Sequence, residues 1–242
     1  MRIGILKTDA VREELVDEFG EYPDMFEALL SPLAPEFSFV TYDVEQGEYP
    51  GDIDEVDAYL ITGSKSSVYE DKPWIHRLAE FVRALHDRRK KLVGICFGHQ
   101  MVAHALGGRT EKSDKGWGVG AHGARFDTLP VWHDGGDANF DVLVSHQDQV
   151  TAMAPGTQRL AGSDFCENAV CQLGEHILTF QGHPEFIKGY SERLLDIRRS
   201  VIGEQTYTEG KASLARDLDR ERVGQWIVNF LRSGEAPVSS HP

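Results

Sequence analysis

Lys91-Leu-Val-Gly-Ile-Cys-Phe-Gly-His-Gln100 is the stretch from which the rest of the chain is best read. Leu92 to Ile95 is a short apolar run of the kind that forms a buried strand, and Gly98 to Leu106 reads as a helix. Cys96 lies between them, with Gly94 two residues before it and Gly98 two residues after. A strand that turns sharply into a helix needs small neighbours on both flanks. The side chain at the tip of such a turn is pushed toward solvent and faces the first amides of the next helix. Those amides and the helix dipole favour an anion, which suits a cysteine that works as a nucleophile. The competing reading is a small buried hydrophobe at a strand end. The paired glycines favour chemistry.

The whole chain sets bounds on that reading. Its 242 residues suit one α/β domain, and 40% apolar content is enough to bury a sizeable core. Lysine and arginine number 25 against 39 acids, a formal charge of −14 that repels phosphate backbones and argues against nucleic-acid binding. No apolar run approaches the roughly 18 residues of a membrane span. Met1-Arg-Ile-Gly-Ile-Leu6 enters a strand at once and lacks the pattern of a signal peptide. Three cysteines (Cys96, Cys166 and Cys171) without a leader point to a reducing cytoplasmic setting, with Cys166 and Cys171 as buried structural residues.

From the N-terminus, Arg2 to Lys7 predicts a strand, Tyr22 to Leu30 a helix, Phe37 to Val44 a strand, and Val56 to Ile61 a buried strand. A long helix follows Pro73, with Trp74, Ile75, Leu78, Val82 and Leu85 on its core face. The basic run Arg88 to Lys91 is read as cations answering the dipole at that helix's end. After Gly107-Gly108 the pattern becomes short strands: Gly118–Phe126, Val142–Ser145, Gln158–Ala161, Ala169–Gln172 and then Ile177–Gln181. A helix is expected from Pro184 toward Val201, a polar connector from Gly203 to Gly210, and a closing helix from Leu214 to Leu231. Strands alternating with helices predict an α/β fold: a doubly wound, mostly parallel sheet flanked by helices, with a small additional antiparallel region. Few linkers interrupt it, so 1–242 is read as a single domain whose tail, Ser233 to Pro242, frays. Ligands in such sheets bind at the carboxyl ends of strands, where Cys96 and the loop Thr62-Gly-Ser-Lys-Ser-Ser67 fall.

A cysteine nucleophile needs a base, and the base needs an orienting group. Gln181-Gly-His-Pro-Glu-Phe186 follows the last strand and offers both, with Glu185 within reach of the His183 imidazole. A carboxylate on one ring nitrogen fixes the tautomer and leaves the other for the thiol. His-Pro-Glu by itself is equally a histidine at a helix start with an acid compensating the dipole.

Together, Gly-Ile-Cys-Phe-Gly-His-Gln100 and Gln-Gly-His-Pro-Glu-Phe186 resemble the class I glutamine amidotransferases, the type with Cys, His and Glu in this chain order. The resemblance extends from about Ile61 to Phe186 and implies a flavodoxin-like fold. It implies Cys96 as nucleophile, His183 as general base and then acid, and Glu185 as the carboxylate that orients it. It also implies an oxyanion hole from Gly63, Ser64 and Phe97. Losing one such donor costs about 3 kcal/mol of activation free energy. The family has Gly-Gly-Pro or Gly-Pro-Gly in that loop where this chain has Gly63-Ser64-Lys65, so which amide donates stays open. Gln100, with Ser145, His146 and Gln147 in the segment Ser145 to Val150, matches the positions that hold the glutamyl group.

The resemblance implies a small γ-glutamyl substrate such as glutamine and acyl transfer through a thioester. Neither cofactor nor metal is expected. His99 and His104 have no third ligand at suitable spacing. No phosphate-binding Gly-x4-Gly-Lys-Ser/Thr loop is present. The chain is expected to have no room for a synthase domain, which leaves a glutaminase feeding a separate synthase subunit, or a self-contained hydrolase. Lys115-Gly-Trp-Gly-Val-Gly120 resembles the standalone branch that includes γ-glutamyl peptidases. A non-catalytic glutamyl-binding regulatory protein is the alternative from another class, although such proteins would be expected to lose one of the three reactive residues.

Overall fold

The computed structural model describes residues 1–233. Apart from Ser233, the tail expected to fray lies outside the described residues. In chain order the first half holds β1 (Arg2–Lys7), α1 (Glu13–Phe19), α2 (Tyr22–Leu30), β2 (Ser38–Asp43), β3 (Ala58–Ile61), α3 (Pro73–Asp87), β4 (Lys91–Ile95) and α4 (Phe97–Ala105). The second half holds β5 (Arg109–Lys112), β6 (Gly118–Phe126), β7 (Asn139–His146), β8 (Asp148–Ala152), β9 (Thr157–Gly162), β10 (Val170–Leu173), β11 (Ile177–Phe180), α5 (Lys188–Ile202), α6 (Glu204–Ser213) and α7 (Arg220–Arg232).

Nine strands form one sheet in the order β2-β1-β3-β4-β11-β10-β9-β6-β7. The pairs from β2 to β11 are parallel, and from β11 onward every pair is antiparallel. The doubly wound expectation therefore holds. The additional antiparallel strands extend the same sheet, and among the described residues β5 and β8 form a ribbon apart.

The central strands are buried on both faces, which is why they read as continuous apolar runs. Ile3, Ile5, Leu60, Val93 and Ile95 pack with Phe26 and Leu30 of α2 and Trp226 and Ile227 of α7. The alternate residues Leu6, Tyr59, Ile61 and Leu92 pack with Leu78 and Val82 of α3 and Met101 of α4. Each such side chain contributes about 1.5–3 kcal/mol when fully buried. The parallel register pairs Leu6 with Ile61, Ile61 with Gly94, and Ile95 with Phe180. Four strand ends are thereby gathered on one edge, and each is followed by a loop that carries polar groups.

Several local expectations are corrected. Gly203 to Gly210 is no connector but most of α6, a helix without an apolar stripe. Its stability comes from polar partners: Tyr207 and Lys211 bond Asp196 of α5, and Lys211 also reaches Glu192. The closing helix starts at Arg220 because Asp219 and Asp141 exchange hydrogen bonds that hold the preceding turn in place. The helix expected from Pro184 starts at Lys188. His183 is held extended instead, its amide donating to the Leu143 carbonyl at 2.8 Å. Past the end of α3, Arg88 and Lys90 bond Asp54, and Lys91 bonds carbonyls of Glu175 and Phe230. That basic run thus ties loops together beyond the helix end.

Candidate active site

Cys96 links β4 to α4 with φ +51° and ψ −98°, a region costly for any residue but glycine. Its flanks explain the tight turn. A Cβ on Gly94 would lie 2.7 Å from the Gly98 backbone, and one on Gly98 would lie 2.6 Å from the Ile61 carbonyl oxygen. Real Cβ atoms do not approach backbone so closely, so both positions require glycine if the elbow is to keep this shape. The elbow does not project into open solvent as the sequence implied. Cys96 is only 5% exposed and sits at the floor of a cleft of about 210 Å³.

His183 enters from the neighbouring strand end. It and Glu185 are buried, and the imidazole Nδ1 lies 2.7 Å from Glu185 Oε1. The ring stacks on Phe186 at 4.0 Å, with planes 7° apart, so packing fixes its tilt as the carboxylate fixes its tautomer. Burial alone would disfavour the imidazolium. The Glu185 carboxylate, and then the neighbouring Cys96, outweigh it and raise the histidine's proton affinity well above the usual range.

Gly63 closes the triangle. A Cβ there would meet His183 Cε1 at 2.8 Å and Cys96 Cβ at 3.7 Å, so the loop, the imidazole and the Cys96 side chain converge. Beneath the loop, Thr8 Oγ1 donates to the Gly63 carbonyl at 2.9 Å, and buried Asp9 accepts from the Lys65 amide at 2.8 Å and pairs with the Lys65 ammonium. Ser64 lines the cleft. Phe97 is the first residue of α4, so its amide has no carbonyl partner within the helix.

The other expected positions are distributed around the same cleft. Gln100, Ser145, His146 and Gln147 all line it. Gln100 is already engaged: its Nε2 donates to the Asp148 carbonyl at 2.9 Å and to Gln181 Oε1 at 3.1 Å. Ser145 Oγ accepts from Arg198 at 2.7 Å. His146 is fully enclosed, and burial pushes it down to about 3, so it is neutral and its Nδ1–H donates to the Asp148 carbonyl at 3.1 Å. His99 is likewise pushed down to about 3 by burial and bonds Thr179, whereas His104 is exposed. The two do not converge, and no group of three metal-ligating side chains occurs among the described residues.

Sequence reasoning missed Gln181 and Arg198. Gln181 Nε2 lies 3.5 Å from Cys96 Sγ while its Oε1 is held by Gln100. Its place two residues before His183, at the end of a strand paired with β4, was the available signal. Arg198 reaches the cleft from α5, far along the chain, and nothing local marks it.

The chain matches the model of the family described as glutamine amidotransferase class-I over residues 22–196. A glutamine amidotransferase-like protein of Schizosaccharomyces pombe is 32% identical over 95% of this chain and 98% of its own length. γ-Glutamyl peptidase 4 of Arabidopsis thaliana is 29% identical, covering 88% of each chain. Among solved structures, a glutamine amidotransferase from Thermotoga maritima superposes with a TM-score of 0.73 over 95% of this chain and 96% of its own, at 18% identity, which speaks to the fold alone.

Proposed function

The chain belongs to the class I glutamine amidotransferase family, and on that premise we propose that it hydrolyses γ-glutamyl amide bonds through a thioester on Cys96, with γ-glutamyl peptides as its substrates. The observation that carries the reading is His183, which meets Glu185 on one side and Cys96 on the other at the floor of the cleft. The peptide branch is supported by the likeness to γ-glutamyl peptidases along most of the chain.

In the proposed cycle the thiol proton resides on His183 and the sulfur attacks the γ-carbonyl carbon. The oxyanion that develops is met by amides from Gly63, Ser64 and Phe97. His183 then gives its proton to the leaving nitrogen, the C–N bond breaks, and the amine departs. A water loses a proton to His183 and attacks the thioester, the C–S bond breaks, and glutamate leaves. Glu185 holds the Nδ1 side of the ring and stabilises the imidazolium whenever it forms. These groups work as one unit of chain 1–242. Its three cysteines are free, as suits the reducing cytoplasm we propose as its compartment. No helix among the described residues is long and apolar enough to cross a membrane.

The test is release of amine or ammonia from glutamine and a set of γ-glutamyl dipeptides by wild type and Cys96→Ala. Peptides should be turned over well and glutamine poorly, in both cases only with Cys96 present. Absence of Cys96-dependent release from every compound would refute the hydrolase, and glutamine preferred over all peptides would refute the peptide branch.

A further inference from the structure

The cleft is electrostatically unlike the rest of the molecule. Three cations (Lys65, Lys112 and Arg198) line it against a single carboxylate, Asp148, in a chain of net charge −14. The carboxylate is already occupied, accepting from the Ser67 and Tyr69 hydroxyls. Lys65 is likewise occupied, paired with buried Asp9.

Arg198 is different. Its neighbour Arg199 pairs with Glu204, while the acids of α5, Glu192 and Asp196, are taken by Lys211. Arg198 turns from them into the cleft and is half-buried there, its Nη1 bonding the neutral Ser145 hydroxyl at 2.7 Å and its guanidinium 5.7 Å from the Trp117 ring centre. A guanidinium fixed by a hydroxyl and an aromatic face keeps further N–H donors for a planar bidentate acceptor. Lys112 adds a second positive charge on the same lining.

A γ-glutamyl group is a poor match for that much charge, because its α-ammonium and α-carboxylate cancel. Resting on the hydrolase reading above, we propose that Arg198, assisted by Lys112, is a seat for a second carboxylate carried by the leaving amine. The preferred substrates are then γ-glutamyl conjugates of amino acids or peptides with a free carboxylate, and Arg198 determines the specificity. Trp117 and Ser145 position it.

The test compares γ-glutamylglycine with γ-glutamylglycinamide, which differ only in that carboxylate. Wild type should favour the acid at least tenfold in kcat/KM, mostly through KM, and the preference should shrink as salt is raised. In Arg198→Gln the ratio should fall toward one, and Arg198→Lys should restore part of it. Lys112→Gln should lower it less. Calorimetry on Cys96→Ala reads the same difference as binding, without turnover. A wild type that cleaves both substrates equally, or an Arg198→Gln variant that loses both in proportion, would overturn the seat and leave the hydrolase standing. Calorimetry showing no preference for the acid would overturn it whatever the catalytic result. Lack of Cys96-dependent cleavage of either substrate counts against the hydrolase instead.

Discussion

Gly98→Ala tests the elbow most directly, with Gly189→Ala as its matched control. Neither glycine has a left-handed φ, so alanine's backbone preferences do not oppose either change. In the first turn of α5, a Cβ on Gly189 would touch Phe19 Cε1 at 3.5 Å, an ordinary contact. Restricting the unfolded chain should then stabilise that variant by about 0.4–1 kcal/mol. At Gly98 the same gain is opposed by a Cβ 2.6 Å from the Ile61 carbonyl, 2.8 Å from Ile61 Cβ and 3.0 Å from its Cγ2. Carbonyl and Cβ are anchored in β3 and cannot swing aside, so α4 must move. Overpacking of this kind costs about 1–3 kcal/mol, leaving a net effect between about zero and a loss of about 2.6 kcal/mol, up to roughly 10 °C in Tm for a chain of this size. Because α4 carries Phe97 and its start sets Cys96, a shift near 1 Å should reduce turnover about 100-fold. Urea unfolding and a γ-glutamyl hydrolysis assay on both variants measure this. A Gly98→Ala protein as stable and as active as Gly189→Ala would refute the crowding argument.

The remaining predictions follow from burial and hydrogen bonding. Iodoacetamide near pH 7 should alkylate Cys96 far faster than Cys166 or Cys171, because burial pushes both of those thiols up to about 12 and only Cys96 faces the cleft; peptide mapping that finds equal rates would contradict it. Gln181→Met removes the N–H aimed at the sulfur, and a hydrogen bond to an ionised group contributes about 1.5–3 kcal/mol. Acylation in single-turnover kinetics should therefore slow at least tenfold, while an unchanged rate would reduce Gln181 to packing. His99 is held neutral at about 3 when folded, so below its unfolded value the unfolded chain binds a proton that the folded chain refuses. Stability should fall by about 1.4 kcal/mol per pH unit from this group as pH drops below roughly 6.5. His99→Gln should flatten the acid limb of the urea-derived stability curve by that slope; parallel limbs would count against the assignment. His183 acts oppositely, since its raised affinity gives stability that is full below the unfolded value and is lost progressively as pH rises from there through the folded value.

What was legible in the sequence is what short-range sterics determine. The elbow could be read because Gly94, Cys96 and Gly98 crowd one another and Ile61 across one strand spacing. The His183–Glu185 pair could be read because a single residue, Pro184, lies between the imidazole and the carboxylate. Elements held by polar partners from elsewhere were not legible. α6 has a single buried residue, Gly210, and α1 likewise only Leu15, so neither shows an apolar stripe. β5 buries only Thr110 and exists through pairing with β8, which no pattern within Arg109–Lys112 reveals. Pro184 misled for a related reason. It suits a first helical turn, but the bond from the His183 amide to Leu143 keeps the backbone extended beside it.

The same division runs through the cleft and explains the one qualitative error about Cys96. An elbow determines where a side chain points, whereas its depth depends on what the rest of the chain builds around it. Here the end of β7 supplies Ser145 and His146, and α5 adds Arg198, leaving the sulfur almost covered. Ser145, His146 and Arg198 lie about 50 to 100 residues from Cys96 along the chain, so nothing near Cys96 could announce them. Their chemistry differs accordingly. The floor, built from local turns, is neutral apart from His183 and Glu185 and suits bond cleavage common to many amides. The walls carry Lys112 and Arg198, the charges we propose as the seat for a second carboxylate. Substitutions on the floor should therefore change rates for all substrates together, whereas those on the walls should change the ranking among them.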